Sequence, residues 1–458
     1  MNFNLSLETS VLIVVMMTSF LAPFMGSSIN LAIPAIGAEF SGSTVFLSWV
    51  VSGYLLASAA FLLPFGRLAD IIGRKKVLIT GLILFSLFAL LSGLAWSAES
   101  IIIFRVGHGI ATSMIFGTGM AIITSVYPPQ KRGFAIGVIA SATYVGLSLG
   151  PVIGGLMVHY LGWRSIFYFS SLAGIIAAVL ALWRLKGEWA GAKGEKFDLL
   201  GSLCYMLAIT TILYGLSSVS TDSWGKYALG LGIILLGLFL FYESKHPYPI
   251  LHIGLFRHNT IFAFSNLAAM INYSATFAVG FMVSLLLQVV MRIDSDVAGL
   301  ILLSQPLIMA LFSPYAGSIS DRIEPRIVAS IGMGLNTLGL FVFSFVTSST
   351  PLWLLMVNLA IIGLGFALFS SPNNNAIMGS VEKQFYGVAS STLGTARLTG
   401  QAMSMAIVTL LLSVYVGGAD LTQNHADLLL VGFRATFLVF TVLCAGGVLA
   451  SLARGKMN

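Results

Sequence analysis

The chain reads as an all-α membrane protein of 14 helices, arranged as two related bundles. Three observations carry that reading. The 458 residues are 57% hydrophobic and only 9% charged, with a mean hydropathy of +0.97. A soluble chain carries about 25% charge. Apolar runs of ~20 residues recur from end to end, long enough to cross a hydrocarbon core as helices. Finally, a charged loop between two such runs, Gly66-Arg67-Leu68-Ala69-Asp70-Ile71-Ile72-Gly73-Arg74-Lys75-Lys76, returns 251 residues later. The copy is degenerate: Gly317-Ser318-Ile319-Ser320-Asp321-Arg322-Ile323-Glu324-Pro325-Arg326. A charged loop repeated in two halves of a hydrophobic chain points to a duplicated bundle. Backbone groups in lipid must pair within the chain, which favours helices, and a barrel would show short alternating segments instead.

The apolar runs place spans 1 to 8 at residues 11–34, 47–66, 77–96, 101–126, 134–159, 166–185, 199–218 and 227–242. Spans 9 to 14 follow at 261–290, 298–318, 327–346, 352–371, 391–416 and 433–452. Charge placement tests the count. With both termini in the cytoplasm, 17 of the 23 bases fall on inside loops, and only Arg164, Lys226, Arg292 and Arg434 lie outside. Adding or dropping an early span would scramble this asymmetry, so the positive-inside rule supports both count and orientation. The net charge of +7 is then a topology signal; a nucleic-acid surface would cluster its bases on one soluble face. The start, MNFNLSLETS, has no basic region of the signal-peptide kind, so span 1 is expected to be a retained helix. Cys204 and Cys444 both lie in apolar segments and read as small hydrophobes.

The repeat explains the number 14. The first charged loop follows span 2 and its copy follows span 10, an offset of eight where a six-plus-six duplication gives six. Two spans are therefore inserted between the halves. The expected division is a six-helix bundle over 1–186, a linker with the two inserted helices over 187–258, and a second six-helix bundle over 259–458.

Two features inside the spans bear on function. In span 5, Gly146, Gly150 and Gly154 are spaced by four and share a face, which Gly155 widens. Such a face lets another helix approach closely, and Pro151 beside it is expected to kink the helix. Arg105 in span 4 and Arg397 in span 13 are bases within the bilayer, which are costly and functional candidates by default. His108 follows Arg105 by three and shares its face. The plainer readings are small-residue packing for the glycines, carbonyl capping for the arginines, and a packed neutral ring for His108.

The loop GRLADIIGRKK resembles the signature loop between helices 2 and 3 of the major facilitator superfamily. The stretch Gly146-x-x-x-Gly150-Pro151-x-x-Gly154-Gly155 is similar to the motif that marks drug antiporters within it. Arg105-Val106-Gly107-His108-Gly109 is similar to the family's Arg-x-x-Gln-Gly, with His108 in place of Gln. Asn30 with Ala32-Ile33-Pro34, Leu255-Phe256-Arg257, and Pro372-Asn373-Asn374-Asn375 with Gly387-Val388-Ala389-Ser390 resemble the 14-helix drug:proton antiporter branch. The resemblance covers essentially the whole chain. It implies the major facilitator fold, gating contacts at Gly66, Asp70, Gly73, Arg74, Asp321 and Arg326, and a span 5 seam between halves at Gly146, Gly150, Pro151, Gly154 and Gly155. It also implies substrate or proton coupling near Arg105, His108, Asn30, Arg397 and Gln401.

One departure matters for substrate class. The branch carries an acid in helix 1 at the position of Met25, and no Asp or Glu lies deep in any span here. Intramembrane bases without acids favour neutral or anionic substrates. Polar residues expected near the midplane include Asn266, Asn272, Gln305, Asn336 and Asn358.

The expected function is a secondary active transporter, exporting amphipathic drugs or toxic compounds by alternating access and coupled to protons. An exporter of lipids or of anionic or neutral metabolites on the same scaffold is the alternative; a non-transporting membrane sensor is another. No metal-ligand cluster, phosphate-binding loop or nucleophile–base spacing is present, so neither an enzyme nor a cofactor is expected. The expected partners are a small amphipathic substrate, protons and the lipid bilayer of a cytoplasmic membrane, with the protein a monomer and no nucleic acid involved.

Overall fold

The computed structural model describes residues 6–40, 44–218, 223–251, 253–293, 295–415 and 426–455. The first six helices are α1 (Leu7–Phe40), α2 (Thr44–Ile72), α3 (Arg74–Gly93), α4 (Ala98–Val126), α5 (Pro129–Leu161) and α6 (Arg164–Arg184). Next come α7 (Leu199–Ser218), α8 (Ser223–Glu243) and the short α9 (Ile253–His258). The remainder are α10 (Thr260–Thr276), α11 (Val279–Leu285), α12 (Ser295–Leu302), α13 (Ser304–Ser320), α14 (Pro325–Phe343), α15 (Leu352–Gly379), α16 (Tyr386–Tyr415) and α17 (Ala426–Ala453). No strand occurs among the described residues.

Helix ends follow local chemistry. Gly73 separates α2 from α3 at φ 120°, a backbone setting that side chains resist. A β-carbon there would also lie 2.4 Å from the Glu188 carboxyl carbon. Ser97 and Ser100 cap the start of α4 reciprocally, and α5 and α14 each open on a proline at the first position, where its missing N–H costs nothing.

Thirteen helical stretches among the described residues are long and apolar enough to cross a membrane. The remaining expected span, 391–416, belongs to α16, whose 30 residues span a bilayer by length but include Arg397, Gln401 and several Ser and Thr. Two expected spans are broken. Span 9 divides into α10 and α11, followed by a π-helical turn over Leu286–Val290. At the break, Ala278 N donates to Ser404 Oγ of α16 at 3.1 Å, so a neighbouring side chain satisfies the freed backbone. Span 10 divides at Leu303, and Pro306 sits in the first turn of α13, where its lack of a donor is tolerated.

The helices form two bundles. In the first, α1 lies along α5, α2 along α4, and α3 between α4 and α6. In the second, α10 lies along α16 and α17, and α15 along α13 and α14. Each has its own apolar core, around Leu82, Ile122 and Ala177 in one and Met333, Leu359 and Phe437 in the other. The bundles meet at two crossings, α2 with α16 and α5 with α13. The α7–α8 pair packs outside the first crossing, where Tyr205 of α7 touches both sides: its hydroxyl donates to the Ala59 carbonyl of α2 at 3.3 Å and bonds Thr395 Oγ1 of α16 at 2.9 Å.

Candidate functional site

Both crossings bring glycine against glycine at the end of the molecule that carries the charged loops. A β-carbon on Gly66 would lie 2.8 Å from the Gly387 carbonyl oxygen and clash with Ser391. At the other crossing, a β-carbon on Gly317 would lie 2.1 Å from the Gly133 carbonyl oxygen. These contacts bring an acid at the end of one helix onto the start of another. Asp70, fully buried, accepts from the backbone N–H of Gly387 and of Val388, both at 3.2 Å. Asp321 accepts from the N–H of Gly133 at 2.8 Å and of Phe134 at 3.0 Å. Asp70 thereby caps unsatisfied donors at the positive end of the α16 dipole, whereas Asp321 meets α5 further in, at its fifth and sixth residues.

Asp70 also holds Arg74, through Nε at 2.8 Å and Nη2 at 2.6 Å. Arg74 reaches across to the Lys383 carbonyl at 2.7 Å and to Ser125 Oγ at 2.7 Å. Arg326 does not repeat this arrangement. It faces Glu324 at 3.4 Å, because Arg326 follows Asp321 by five residues and Pro325 opens a new helix between them. Burial pushes the Asp321 carboxyl above its usual value, against the lowering effect of the Phe134 and Gly133 N–H groups.

The linker after α6 folds over the first loop, which sequence reasoning did not anticipate. Arg67, fully buried, pairs with Glu195. Arg74 N donates to the Trp189 carbonyl and Ala192 N to the Asp70 carbonyl, both at 2.9 Å.

The glycine face of α5 lies elsewhere than expected. Gly146, Gly150 and Gly154 pack on α1, within one bundle: a β-carbon on Gly146 would lie 2.5 Å from the Phe20 carbonyl oxygen, and one on Gly154 2.7 Å from Ser28. Ser28 Oγ donates to the Gly150 carbonyl at 2.9 Å. Contact between bundles uses the opposite face, through Gly133, Gly137 and Ser141; Ser141 Oγ donates to the Ala310 carbonyl of α13 at 2.5 Å. Gly137 and Gly146 are nine residues apart, about two and a half turns, so their faces oppose. Gly155 is half-buried. The side chains of Pro151 and Asn30 lie outside the described residues.

Arg105 is fully buried between α2 and α4. Its Nε donates to the Val50 carbonyl at 3.0 Å, its Nη1 contacts His108 Nδ1 at 3.0 Å, and the guanidinium lies 4.3 Å from the Tyr54 ring centroid. An arginine only donates, so His108 Nδ1 accepts and the imidazole is neutral with its proton on Nε2. That Nε2 is buried without a hydrogen-bond partner, and the ring packs edge-on to Phe85 at 4.2 Å. Arg397 is half-exposed on α16, 5.1 Å from the Phe116 ring centroid of α4, and Gln401 lies one turn further along, also half-exposed. Asn272 and Asn336 bond each other at 2.9 Å, and Asn358 bonds the Gly339 carbonyl at 2.9 Å. All three are buried in the second bundle.

Among the described residues, hydrogen bonds between the bundles run from the Asp70 and Asp321 ends inward to Ser141 and Ala310. A structure pinned at one end of two crossings is the geometry of a rocking bundle pair.

The model of the family described as Major Facilitator Superfamily matches residues 15–256 and 263–456. The riboflavin transporter RibZ of Clostridioides difficile is 28% identical over 445 residues, covering 96% of each chain. The multidrug resistance protein Stp of Mycobacterium tuberculosis is 28% identical, over 85% of this chain and 73% of Stp. The solved human organic anion transporter MFSD10 superposes with a TM-score of 0.65 at 14% identity, over 96% of this chain and 100% of that one. These likenesses extend through both bundles and both charged loops: the chain belongs to the major facilitator superfamily and is a multi-pass membrane transporter rather than an enzyme.

Proposed function

We propose that the chain exports amphipathic small molecules by alternating access, coupled to inward proton movement across the cytoplasmic membrane of a prokaryote. It works as a monomer with its base-rich end and both termini in the cytoplasm. The units are the bundle at 1–186, the linker and inserted pair at 187–258, and the bundle at 259–458. The observation that carries this reading is the pair of aspartate contacts: Asp70 on the start of α16 and Asp321 on the fifth and sixth residues of α5. Each pins one bundle to the other at the base-rich end, so releasing both is the step that opens that end. The multidrug resistance relative supports export of varied substrates.

His108 is the proton-linked group in this reading. Taking up a proton on Nδ1 requires giving up the contact with Arg105, so protonation and the Arg105 position are linked without an acid in helix 1. A second reading, export of anionic or neutral metabolites, draws on Arg397. This half-exposed guanidinium has an aromatic ring beside it and no carboxylate among the described residues paired with it. Counterflow in proteoliposomes with an imposed pH gradient tests both. An amphipathic dye, a naphthalene sulfonate and a naphthyl amine serve as cargo. Proton-driven export should follow the gradient in wild type and lose its pH dependence in His108→Gln. An unchanged profile would remove His108 from the coupling path, and preference for the sulfonate would favour the second reading.

A further inference from the structure

The base-rich end of the seam holds a pocket that the gating contacts leave open. Its volume is about 640 Å³, and its walls come from both bundles: Glu8, Tyr127 and Arg132 from the first, Lys383 and Tyr386 from the second. Arg132 is 7% exposed. Its hydrogen bonds are long, at 3.3 Å to the Thr124 carbonyl and 3.4 Å to the Tyr386 hydroxyl, both from Nη2. Its Nε is buried with no partner. At the neighbouring crossing Arg67 is matched by Glu195 and Arg74 by Asp70; among the described residues Arg132 forms no ion pair within 4 Å, and Asp321 acts on it only at longer range. A buried cation left in that state costs several kcal/mol unless an anion joins it.

The surroundings suit an oxyanion. Lys383, exposed at the start of a 3-10 turn over Lys383–Phe385, adds a second positive charge, with no ion pair of its own among the described residues. The Tyr386 hydroxyl adds a donor, the Tyr127 hydroxyl being taken up by the Glu8 carbonyl at 3.1 Å, and the helix starts at Pro129 and Tyr386 add their dipoles. Glu8 is the one acid in the lining, and it leaves the bases in excess. A guanidinium fork with an ammonium opposite is the donor pattern that phosphate-type oxygens satisfy.

We propose that this pocket binds a phosphate-type oxyanion that bridges Arg132 of one bundle to Lys383 of the other and holds the base-rich end closed. Opening that end separates the two bases, so the anion binds the closed state and not the open one. It therefore shifts the population toward closure by its full differential affinity. The phosphate comes either from a soluble phosphate compound or from a lipid headgroup at the membrane rim.

The test uses the full-length protein in an uncharged, phosphate-free detergent. Inorganic phosphate at millimolar concentration should raise the thermal midpoint saturably by several degrees, while chloride at matched ionic strength should not. Hydrogen exchange across residues 383–388 should slow by about tenfold over the same range. Lys383→Gln, a change on an exposed turn, should abolish both effects, Arg132→Gln likewise, and Lys383→Arg should retain them. Nanodiscs with and without phosphatidylglycerol, in phosphate-free buffer, form the second arm. Stabilisation by the anionic lipid that Lys383→Gln removes assigns the headgroup as the source; stabilisation by free phosphate in detergent assigns the soluble compound. A phosphate response no larger than that to chloride, together with lipid insensitivity, overturns the proposal. So does an undiminished response in Lys383→Gln.

Discussion

The two crossings differ in how deeply the aspartate sits and in whether an arginine joins it, and the difference separates the shared contact from what the arginine adds. Both place glycine on glycine, and both set an aspartate against the opposing helix. At α2–α16 the aspartate is fully buried and carries Arg74, which itself bonds the far side. At α5–α13 the aspartate is half-buried and Arg326, the closing base of the loop copy, faces Glu324 instead. The shared part is a carboxylate that accepts from two backbone N–H groups of the opposing helix. The arginine adds charge balance that permits the first aspartate to sit deeper, where every electrostatic contact is stronger.

Asp70→Asn is the largest break in this comparison. It removes the charge that faces two N–H groups and leaves Arg74 buried without a counter-ion, an arrangement that costs about 3–5 kcal/mol in comparable buried pairs. Transport should fall more than about tenfold, since each 1.4 kcal/mol is a factor of ten in the closing equilibrium, while membrane insertion is retained. Normal transport in that variant would show that the contact is not a gate. Asp321→Asn orphans no buried base, so its loss should be smaller, about two- to fivefold, in line with one or two charge-assisted bonds weakened at a partly solvated site. Equal losses in the two variants would mean that Arg74 contributes nothing to the difference.

The opposite faces of α5 give a second comparison, between the seam with α13 and the packing on α1. Gly137→Leu meets the Ser313 carbonyl oxygen of the other bundle, 2.4 Å from where its β-carbon would stand. Gly150→Leu meets Ser27 of its own bundle. The first should cut transport about tenfold with little change in the thermal midpoint, because the bundles can part to relieve it. The second should lower stability by about 1–3 kcal/mol through overpacking that nothing relieves. Thermal unfolding and transport rates on the same preparations separate the two; matching profiles would mean that both faces move during the cycle.

Much of this was legible in the chain. The charged loop and its copy gave the duplication, and the loop's resemblance to the family signature gave a contact at Asp70 and Arg74. Four-residue spacing gave the glycine face of α5. It did not give the helix that the face meets, since small residues specify close approach and not a partner. The same limit hid the aspartate contacts. Gly387 and Val388 contribute through backbone N–H groups, which every residue but proline possesses, and they lie over 300 positions from Asp70. Arg105 was legible as a costly base with His108 on its face, but its other partner was not: the Val50 carbonyl is again a group common to all residues. Asn272 and Asn336 lie in the second bundle and bond each other across it, a pairing that spacing along a single helix does not encode. The apolar run at 391–416 marked α16 as a span although Arg397, Gln401 and several Ser and Thr lower its mean hydropathy.

The smallest predicted effect lies at the other end of the molecule and serves as a control. Glu39, at the end of α1, accepts from both ends of the Arg164 guanidinium at 2.6 Å and from Trp163 Nε1 at 2.8 Å, all within the first bundle. The hydrogen-bonded Arg164 holds the Glu39 carboxyl below its ordinary value of 4.5, with burial pulling weakly the other way. A carboxyl whose folded pKa is depressed contributes stability that is fully present above the unfolded value and is lost as pH falls through the folded one. The side chains are 40% and 34% exposed, so solvent screens the pair and its worth is under about 1 kcal/mol. Glu39→Gln should therefore lower the thermal midpoint by about 1–2 °C at pH 7. The gap from wild type should close as the pH drops below the ordinary carboxylate value. Transport should stay within about twofold of wild type, because the contact crosses no seam. A larger transport defect would mean that α1 and α6 shift against each other during the cycle, and that the first bundle does not move as one body.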